Sequence, residues 1–479
     1  MDLNITSPKF KSMFREYDIR GMVSDEELKV DSVYRIISAY AYYLAKKNIT
    51  TAIVGYDNRD CSPEFADATI SALTDRGIDV IFVGLSISPL VYYAQHLLKS
   101  EGAVMITASH NPNGWSGFKL AKGYSETLET DDVIEIYNLV INLPQIPQGV
   151  TKGVVTIKNV RNEYIDEIVS RIKIGPNRPR IVIDAGNGSA GLFAYELFHK
   201  LGCLTFQLNC DPDTAYPHYF PNPSNIKSRE RLRTMVTHPY ITADVGIGFD
   251  GDGDRLGVID EVGNDVYSDI VLAVLAKQLL EKKPNAKIVY DVKCSRTLEE
   301  IITFNSGVPV MWMTGHSYIK SKMHHMNAEL AGERSGHIFF GGDDYFGFDD
   351  AVFAASKLIE YLSYQDKKLS KIVEELPRYL TSPEIRAHCD DTVKYKIVEK
   401  ITSELKKLYP NMVNDICGAR IEFDEGWGLI RASSNLPELV IIFEATSQLK
   451  LLEIREILLN ITKKHPEVSE WENDIFNEY

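Results

Sequence analysis

One arrangement of residues occurs three times in this chain and restricts its fold more than any other feature. Residues 51–85, 180–208 and 287–313 each open with an apolar strand that ends in aspartate: TAIVGYD at Asp57, RIVID at Asp184, KIVYD at Asp291. A polar loop follows, then a helix closed by glycine (Gly77, Gly202, Gly307), then a second apolar strand, DVIFVGL, CLTFQL or VPVMWM. Two strands joined through one helix form a crossover unit and run parallel. Three divergent copies predict three related α/β domains. Local signals support the helices. Ser62 supplies an N-cap with Pro63 at the first helical position, where a missing N–H costs nothing. Ser295 can cap the third helix, whose Leu298, Ile301 and Ile302 share one face. Gly77 and Gly307 suit the left-handed position that ends a helix.

Beyond about residue 384 the pattern changes. A helix-like stretch at 393–408, the strands ARIEF, GLIRAS and LVIIFEA, and an amphipathic helix from about 447 predict a smaller α+β domain. Breaks bearing Pro or Gly at 142–153, 261–264 and 376–384 divide the chain into expected domains 1–155, 156–262, 263–378 and 379–479. The acidic, aromatic stretch 466–479 has no legible role. With 44% hydrophobic and 25% charged residues the chain is an ordinary globular one, which excludes a disordered or collagenous polymer. Its six cysteines are scattered with no C-x-x-C pair, so they read as reduced thiols. A formal charge of −15 opposes nucleic acid and anionic membranes as partners. No apolar signal region opens the sequence, and no apolar run reaches the ~18 residues of a membrane span. The expected location is cytoplasmic.

The segment Asp250-Gly251-Asp252-Gly253-Asp254-Arg255 follows the apolar run VGIGF. Glycines let the backbone curl, so three carboxylates can converge on one hard divalent cation. An acidic turn without a cation would leave them repelling one another. Glu261 stands twelfth from Asp250, as in a calcium EF-hand, but the glycine required at position six is Arg255 and a strand replaces the entering helix. Magnesium fits better, because three carboxylates leave positions for a phosphate oxygen or water.

Thr107-Ala108-Ser109-His110-Asn111-Pro112 follows the strand GAVMI. The carboxyl end of a strand is where open α/β sheets present catalytic groups, so Ser109 is either a phosphoryl carrier or part of an ordinary Ser/Asn/Pro turn. His110 could act as its base, but neighbours in extended chain point apart. Arg15, Arg20, Lys119, Lys293, Arg334 and Arg431 lie beside turn-like sequence and suit either phosphate pockets or surface ion pairs. RASSN (431–435) joins a guanidinium, two hydroxyls and an amide in one loop, a set suited to phosphate. GERSGH (332–337) sets an acceptor, a hydroxyl and an imidazole between glycines, where they could read sugar hydroxyls.

Taken in order, FREYDIRG (14–21), TASHNP (107–112), GFDGDGDR (248–255), TGHS (314–317), GERSGH (332–337) and RASSNLP (431–437) resemble the α-D-phosphohexomutase superfamily. DVKCSR and PVMWMTGHS, with GERSGH, resemble its bacterial phosphomannomutase/phosphoglucomutase group. The resemblance implies three related α/β domains with mixed sheets and a fourth of different fold around one central cleft. It implies interconversion of hexose 6-phosphate and hexose 1-phosphate, of mannose or glucose, through a phosphoserine enzyme and a hexose 1,6-bisphosphate intermediate. Ser109 would be the phosphoserine, holding Mg²⁺ through its phosphate together with Asp250, Asp252 and Asp254. Arg20, Lys119 and His337 would assist transfer. Glu333 and Ser335 would contact sugar hydroxyls, and Arg431, Ser433, Ser434 and Asn435 the distal phosphate. Tyr17, His110, Arg255, Lys293 and His316 would line the cleft. The family's clamp reads R-x-S-N-T-x-P, so Ser434 and Asn435 depart from it, and the variable Arg334 could bias sugar choice. The linker 376–384 would be a hinge. The implied partner is a small phosphosugar, with the chain a monomer or small homo-oligomer. Phosphoglucosamine mutase and a metal-dependent phosphatase using the same serine are the alternatives, and a calcium-binding module is a third.

Overall fold

The structure, a computed structural model, describes residues 4–472 and 474 except 147, 224, 225 and 435. Each repeated unit forms the parallel pair that a crossover requires. Thr51–Tyr56 pairs with Asp79–Leu85, Arg180–Asp184 with Leu204–Leu208, and Lys287–Asp291 with Val308–Trp312, in registers such as Ile53↔Ile81, Val182↔Phe206 and Val289↔Val310. The equivalence then extends beyond the repeat. On the other side of each first strand lies a third parallel strand: Gly102–Ile106, Val245–Phe249 or Leu330–Gly332. A hairpin from each leads to an antiparallel fourth: Trp115–Lys122, Leu256–Asp260 or Ile338–Phe340. All three sheets are therefore mixed. Ile19–Met22 and Val155–Ile157 add edges to the first, and Asp265–Val266 adds one to the second.

This topology positions the chemistry. The hairpin loops of the three units are residues 107–114, 250–255 and 333–337, the serine, acidic and GERSGH segments respectively. Each leaves the carboxyl end of a buried parallel strand, where backbone groups run out of sheet partners and side chains are free to act.

Two local expectations need correction. Gly77 and Gly202 adopt positive φ, but in the third unit the left-handed residue is Ser306, at φ 62°, and not Gly307. Gly307 serves packing instead, since a Cβ there would lie 2.8 Å from Ile302 and Leu280 side-chain atoms. Ser62 opens its helix without capping it; its hydroxyl donates to Asp57 Oδ1 at 2.7 Å. Ser295 does cap Arg296–Phe304, accepting from the Thr297 amide.

One apolar core runs through the first three units, from Ile53 and Tyr164 to Ile183, Leu272 and Phe353. The fourth sheet is antiparallel throughout: Leu380–Thr381 and Ile385–His388 pair in succession along one edge of Glu438–Ala445, and Gly426–Ala432, Ala419–Phe423 and Val413–Asn414 follow on the other. Helices Lys394–Leu408 and Gln448–Thr462 cover it around a core of its own. A smaller cluster of Val292 with Trp427, Leu429, Val440 and Ile442 joins this sheet to the third unit. The described part of the acidic tail packs back, with Arg386 bridging to Glu472 and Arg455 to Asp474. Among the described residues no helix is long and apolar enough to cross a membrane.

Candidate active site

Ser109 sits fully buried with φ at 50°, a left-handed backbone that a serine does not favour. A network built on Asp57 holds it there. Thr107 Oγ1 donates to Asp57 Oδ2 at 2.8 Å and accepts the Ser109 amide at 2.8 Å. Asp57 also orients the buried Arg59 through Nε at 3.1 Å. Arg59 then donates to four carbonyls of the loop: Ser109 (2.9 Å), Asn111 (2.7 Å), Pro112 (3.0 Å) and Trp115 (3.2 Å). The backbone turn has a second consequence. Ser109 Oγ lies 3.1 Å from His110 Nδ1, so the two neighbours meet, contrary to expectation from extended chain. Burial, then the nearby Arg255 and Arg20 charges, keeps His110 well below the usual imidazole range and hence neutral.

Ser109 Oγ donates to Asp250 Oδ2 at 2.6 Å. The serine and acidic loops pack backbone to backbone, because a Cβ on Gly251 would fall 2.6 Å from the Ser109 carbonyl. Gly253 takes φ 74°, and the curl it permits brings ligand oxygens of Asp250, Asp252 and Asp254 within 4.8 Å of one another. All three residues are 0% exposed. Burial, and then the charges of Asp254 and Asp252, drives the Asp250 carboxyl far above the carboxylate range. Lys119 Nζ reaches Asp252 Oδ2 at 2.6 Å and also pairs with Asp254. Burial opposes that ammonium, but the two aspartates outweigh it and hold it charged. Asp252 Oδ1 and Asp254 Oδ1 remain buried without a hydrogen-bond partner. An oxygen-only set with two unpartnered carboxylate oxygens is chemically suited to a hard divalent cation. Glu261 stays apart and accepts the Ser370 amide at 3.2 Å, so no EF-hand ligand set forms.

The third loop faces the first two. His337 Nε2 accepts from Arg255 Nε at 3.0 Å, and its Nδ1 lies 3.0 Å from Asp349 Oδ2 and 3.8 Å from Asp254 Oδ1. Asp349 is buried; burial opposes its charge, but Lys320 at 3.2 Å and His337 hold it well below the ordinary carboxylate range. His316 opens helix His316–Met326 with Nδ1 3.8 Å from Asp349, and burial keeps it neutral. Tyr17 packs edge-on against His316, ring centroids 5.0 Å apart. Arg20 donates to Asp18 Oδ2 at 2.7 Å and to Asn111 Oδ1 at 3.1 Å, beside the serine loop. Glu333 accepts from the Gly315 amide and, at 2.8 Å, from Ser335 Oγ. Arg334 turns the other way, toward Asp269 and Thr381.

Lys293 Nζ sits 3.8 Å from Glu384 of the linker and 3.9 Å from Asp291. In the fourth domain Arg431 is buried, its Nε without a partner. Burial opposes its charge, but Cys417 and then Glu16 of the first domain keep it firmly charged. Ser434 faces Tyr17, and Ser433 Oγ accepts the Leu436 amide at 3.2 Å. Asn435 lies outside the described residues. The remaining candidates thus converge from all four sheets. Sequence reasoning missed Arg59, Lys320 and Asp349 and saw Asp57 and Asp291 only as strand ends. Their signal was the recurrent strand-terminal aspartate itself: Asp57 organises the serine loop, and Asp291 accepts Thr314 Oγ1 at 2.8 Å and the Arg334 amide at 3.2 Å.

Three repeated α/β units and an antiparallel fourth domain, converging on a buried serine beside a cation-type acidic cluster, define an α-D-phosphohexomutase. Family models agree in order along the chain. Those for phosphoglucomutase/phosphomannomutase alpha/beta/alpha domains I, II and III match residues 11–145, 162–263 and 267–379, and that for the C-terminal domain matches 384–461. A phosphomannomutase/phosphoglucomutase of Pseudomonas syringae pv. tomato is 36% identical over 453 residues, 95% of each chain. A phosphoglucomutase of Neisseria meningitidis serogroup A is 36% identical over 95% of this chain and 98% of its own. The crystal structure of a phosphoglucomutase/phosphomannomutase family protein from Burkholderia thailandensis superposes with a TM-score of 0.86 at 32% identity, covering 95% of this chain and 97% of that one. The chain belongs to the phosphoglucomutase/phosphomannomutase family.

Proposed function

We propose that this protein interconverts hexose 1-phosphate and hexose 6-phosphate, with mannose or glucose as the sugar, through phospho-Ser109 and a hexose 1,6-bisphosphate intermediate. The observation that carries the proposal is Ser109 Oγ at 2.6 Å from one of three converging buried aspartates. Asp250, Asp252 and Asp254, with the phosphate on Ser109, would hold Mg²⁺. When bound, the ion neutralises charge on the transferring phosphoryl group.

In the first half-reaction the free sugar hydroxyl attacks phospho-Ser109. Its oxygen bonds to phosphorus, the P–Oγ bond breaks, and the hydroxyl proton leaves to a base. We assign that base to His337, whose Nδ1 lies 3.0 Å from Asp349 and whose Nε2 lone pair, held by Arg255 Nε at 3.0 Å, would pass to the arriving sugar hydroxyl. Lys119, held charged beside Asp252 and Asp254, balances negative charge at the serine, with Arg20 beside the same loop. The bisphosphate then turns over, and Oγ takes the other phosphate by the reverse step. Glu333 and Ser335 bind sugar hydroxyls, and Arg431, Ser433 and Ser434, joined by Asn435, take the distal phosphate. Tyr17, His110, Arg255, Lys293 and His316 complete the wall. Phosphosugars and six free cysteines both fit a cytoplasmic setting.

The test supplies glucose 1-phosphate, mannose 1-phosphate or glucosamine 1-phosphate with Mg²⁺ and a trace of the corresponding bisphosphate. A mutase yields the 6-phosphate without net inorganic phosphate. Stoichiometric phosphate release without isomer identifies a phosphatase and overturns the proposal, and preference for the amino sugar reassigns it to glucosamine phosphate.

A further inference from the structure

The loop 332–337 has two sides. Glu333 and Ser335 hydrogen-bond to each other on the side of Gly315 and His316. Arg334 between them sends its guanidinium behind the loop. There Nη1 lies 3.4 Å from Asp269 Oδ2, Nη2 donates to Thr381 Oγ1 at 3.0 Å, and the group sits 5.1 Å from the centroid of the Tyr267 ring. Asp269 is itself buried and fixed by the Ser295 amide at 2.8 Å. Thr381 belongs to the fourth domain: it pairs with Glu444 as part of the edge strand Leu380–Thr381. The Arg334 backbone meanwhile donates to Asp291 Oδ1. A single residue therefore joins the third unit, the sugar-facing loop and the fourth sheet. Beside it lies a cavity of about 450 Å³, bordered by Leu376, Pro377 and Tyr379 of the linker and by Thr381 of the fourth sheet. Arg334 lines that space together with the linker.

We propose that Arg334 is a positioning residue that makes the order of the sugar-facing loop and the seating of the fourth domain one event. This inference rests on the mutase reading above. Its consequence falls between the two half-reactions, when the bisphosphate must reorient while loop and clamp retain it. With Arg334 bonded to Thr381, the clamp cannot leave its seat without straining the loop that holds the sugar. Without that bond each lets go independently, and the intermediate escapes more often.

The test uses the full-length protein and glucose 1-phosphate labelled in the sugar, and reads labelled glucose 1,6-bisphosphate released to solvent per glucose 6-phosphate formed. Arg334→Met raises that ratio about tenfold or more, the scale of one hydrogen bond from a charged group, and Thr381→Val raises it in the same direction. The double variant releases no more than Arg334→Met alone, because both substitutions break one link. Arg334→Lys keeps a charge beside Asp269 but cannot reach both partners, and its ratio is intermediate. A ratio unchanged in Arg334→Met and Thr381→Val, or additive in the double, overturns the linkage. If Arg334→Met does not fold, Thr381→Val decides alone. A parent protein that forms neither labelled bisphosphate nor 6-phosphate refutes the mutase reading itself, a result distinct from an active parent whose variants release no more.

Discussion

Arg59 is where the fold and the chemistry meet most directly, and its removal has a calculable effect. Its side chain is 3% exposed and pairs with an Asp57 side chain that is 1% exposed. Arg59→Met removes donors from four loop carbonyls and strips Asp57 of its cation. Leaving one member of a buried ion pair uncompensated costs about 3–5 kcal/mol, set against a typical domain stability of roughly 5–15 kcal/mol. The variant is therefore folded but melts earlier. The loop responds more sharply than the domain. Ser109 holds φ 50°, a conformation costing about 1–3 kcal/mol that persists only while its surroundings enforce it. Released, the backbone relaxes and carries Oγ away from Asp250. A displacement of about 1 Å at a reacting atom costs on the order of 10²-fold in rate. Steady-state kinetics on Arg59→Met should show kcat reduced by about that factor with KM little changed, and thermal unfolding should show the earlier transition. Arg59→Lys keeps the charge beside Asp57, so it regains most of the stability. One ammonium cannot serve four carbonyls, so its kcat stays low. Near-parental kcat in a folded Arg59→Met would refute the clamp.

Other expectations follow from the same geometry. Asp252→Ala abolishes Mg²⁺-dependent turnover and leaves the circular dichroism spectrum intact; Mg²⁺-dependent activity surviving at the parental level contradicts the assigned metal loop. Lys119→Met leaves buried Asp252 and Asp254 without their resident cation, so added Mg²⁺ raises its melting temperature more than the parent's; equal shifts would show that Lys119 does not balance the cluster. Arg431→Ala raises KM for the phosphosugar by about tenfold or more while Ser109 is still phosphorylated by the bisphosphate, as loss of a charged hydrogen-bond partner of about 1.5–3 kcal/mol demands; an unchanged KM removes Arg431 from the clamp. Burial pushes His96 down from 6.5 to about 4. The unfolded chain therefore binds a proton between these values that the native state refuses, and stability falls as pH drops through that window. Urea unfolding of His96→Gln should show a flatter pH dependence there, and a slope equal to the parent's refutes the assignment.

The repeat was legible because each copy stays in the local sequence: strand, aspartate, polar loop, capped helix. So were the four sequence segments that meet in the site, since each is a short run whose residue types carry chemistry by themselves. What stayed hidden was long-range. Nothing near Arg59 in sequence says that it spans the serine loop some fifty residues later, and Asp349 acquires its role only when the third unit folds it against His337. The direction of Arg334 was equally hidden, because a motif states the order of residues while the backbone turn decides which way each side chain leaves. Ser109 and His110 teach the same lesson: they were expected to diverge, and one residue at positive φ brings them together. At Ser306 the fold tolerated a side chain where glycine was expected and used Gly307 for close packing.

On the proposed mechanism Ser109 carries the phosphoryl group through the reaction. A direct measurement is intact-protein mass after incubation with hexose 1,6-bisphosphate and Mg²⁺, then after a chase with excess hexose monophosphate. One added phosphoryl group per chain is expected, absent from Ser109→Ala and lost to the sugar phosphate during the chase. A protein that stays unmodified, or Ser109→Ala modified to the same extent, contradicts it.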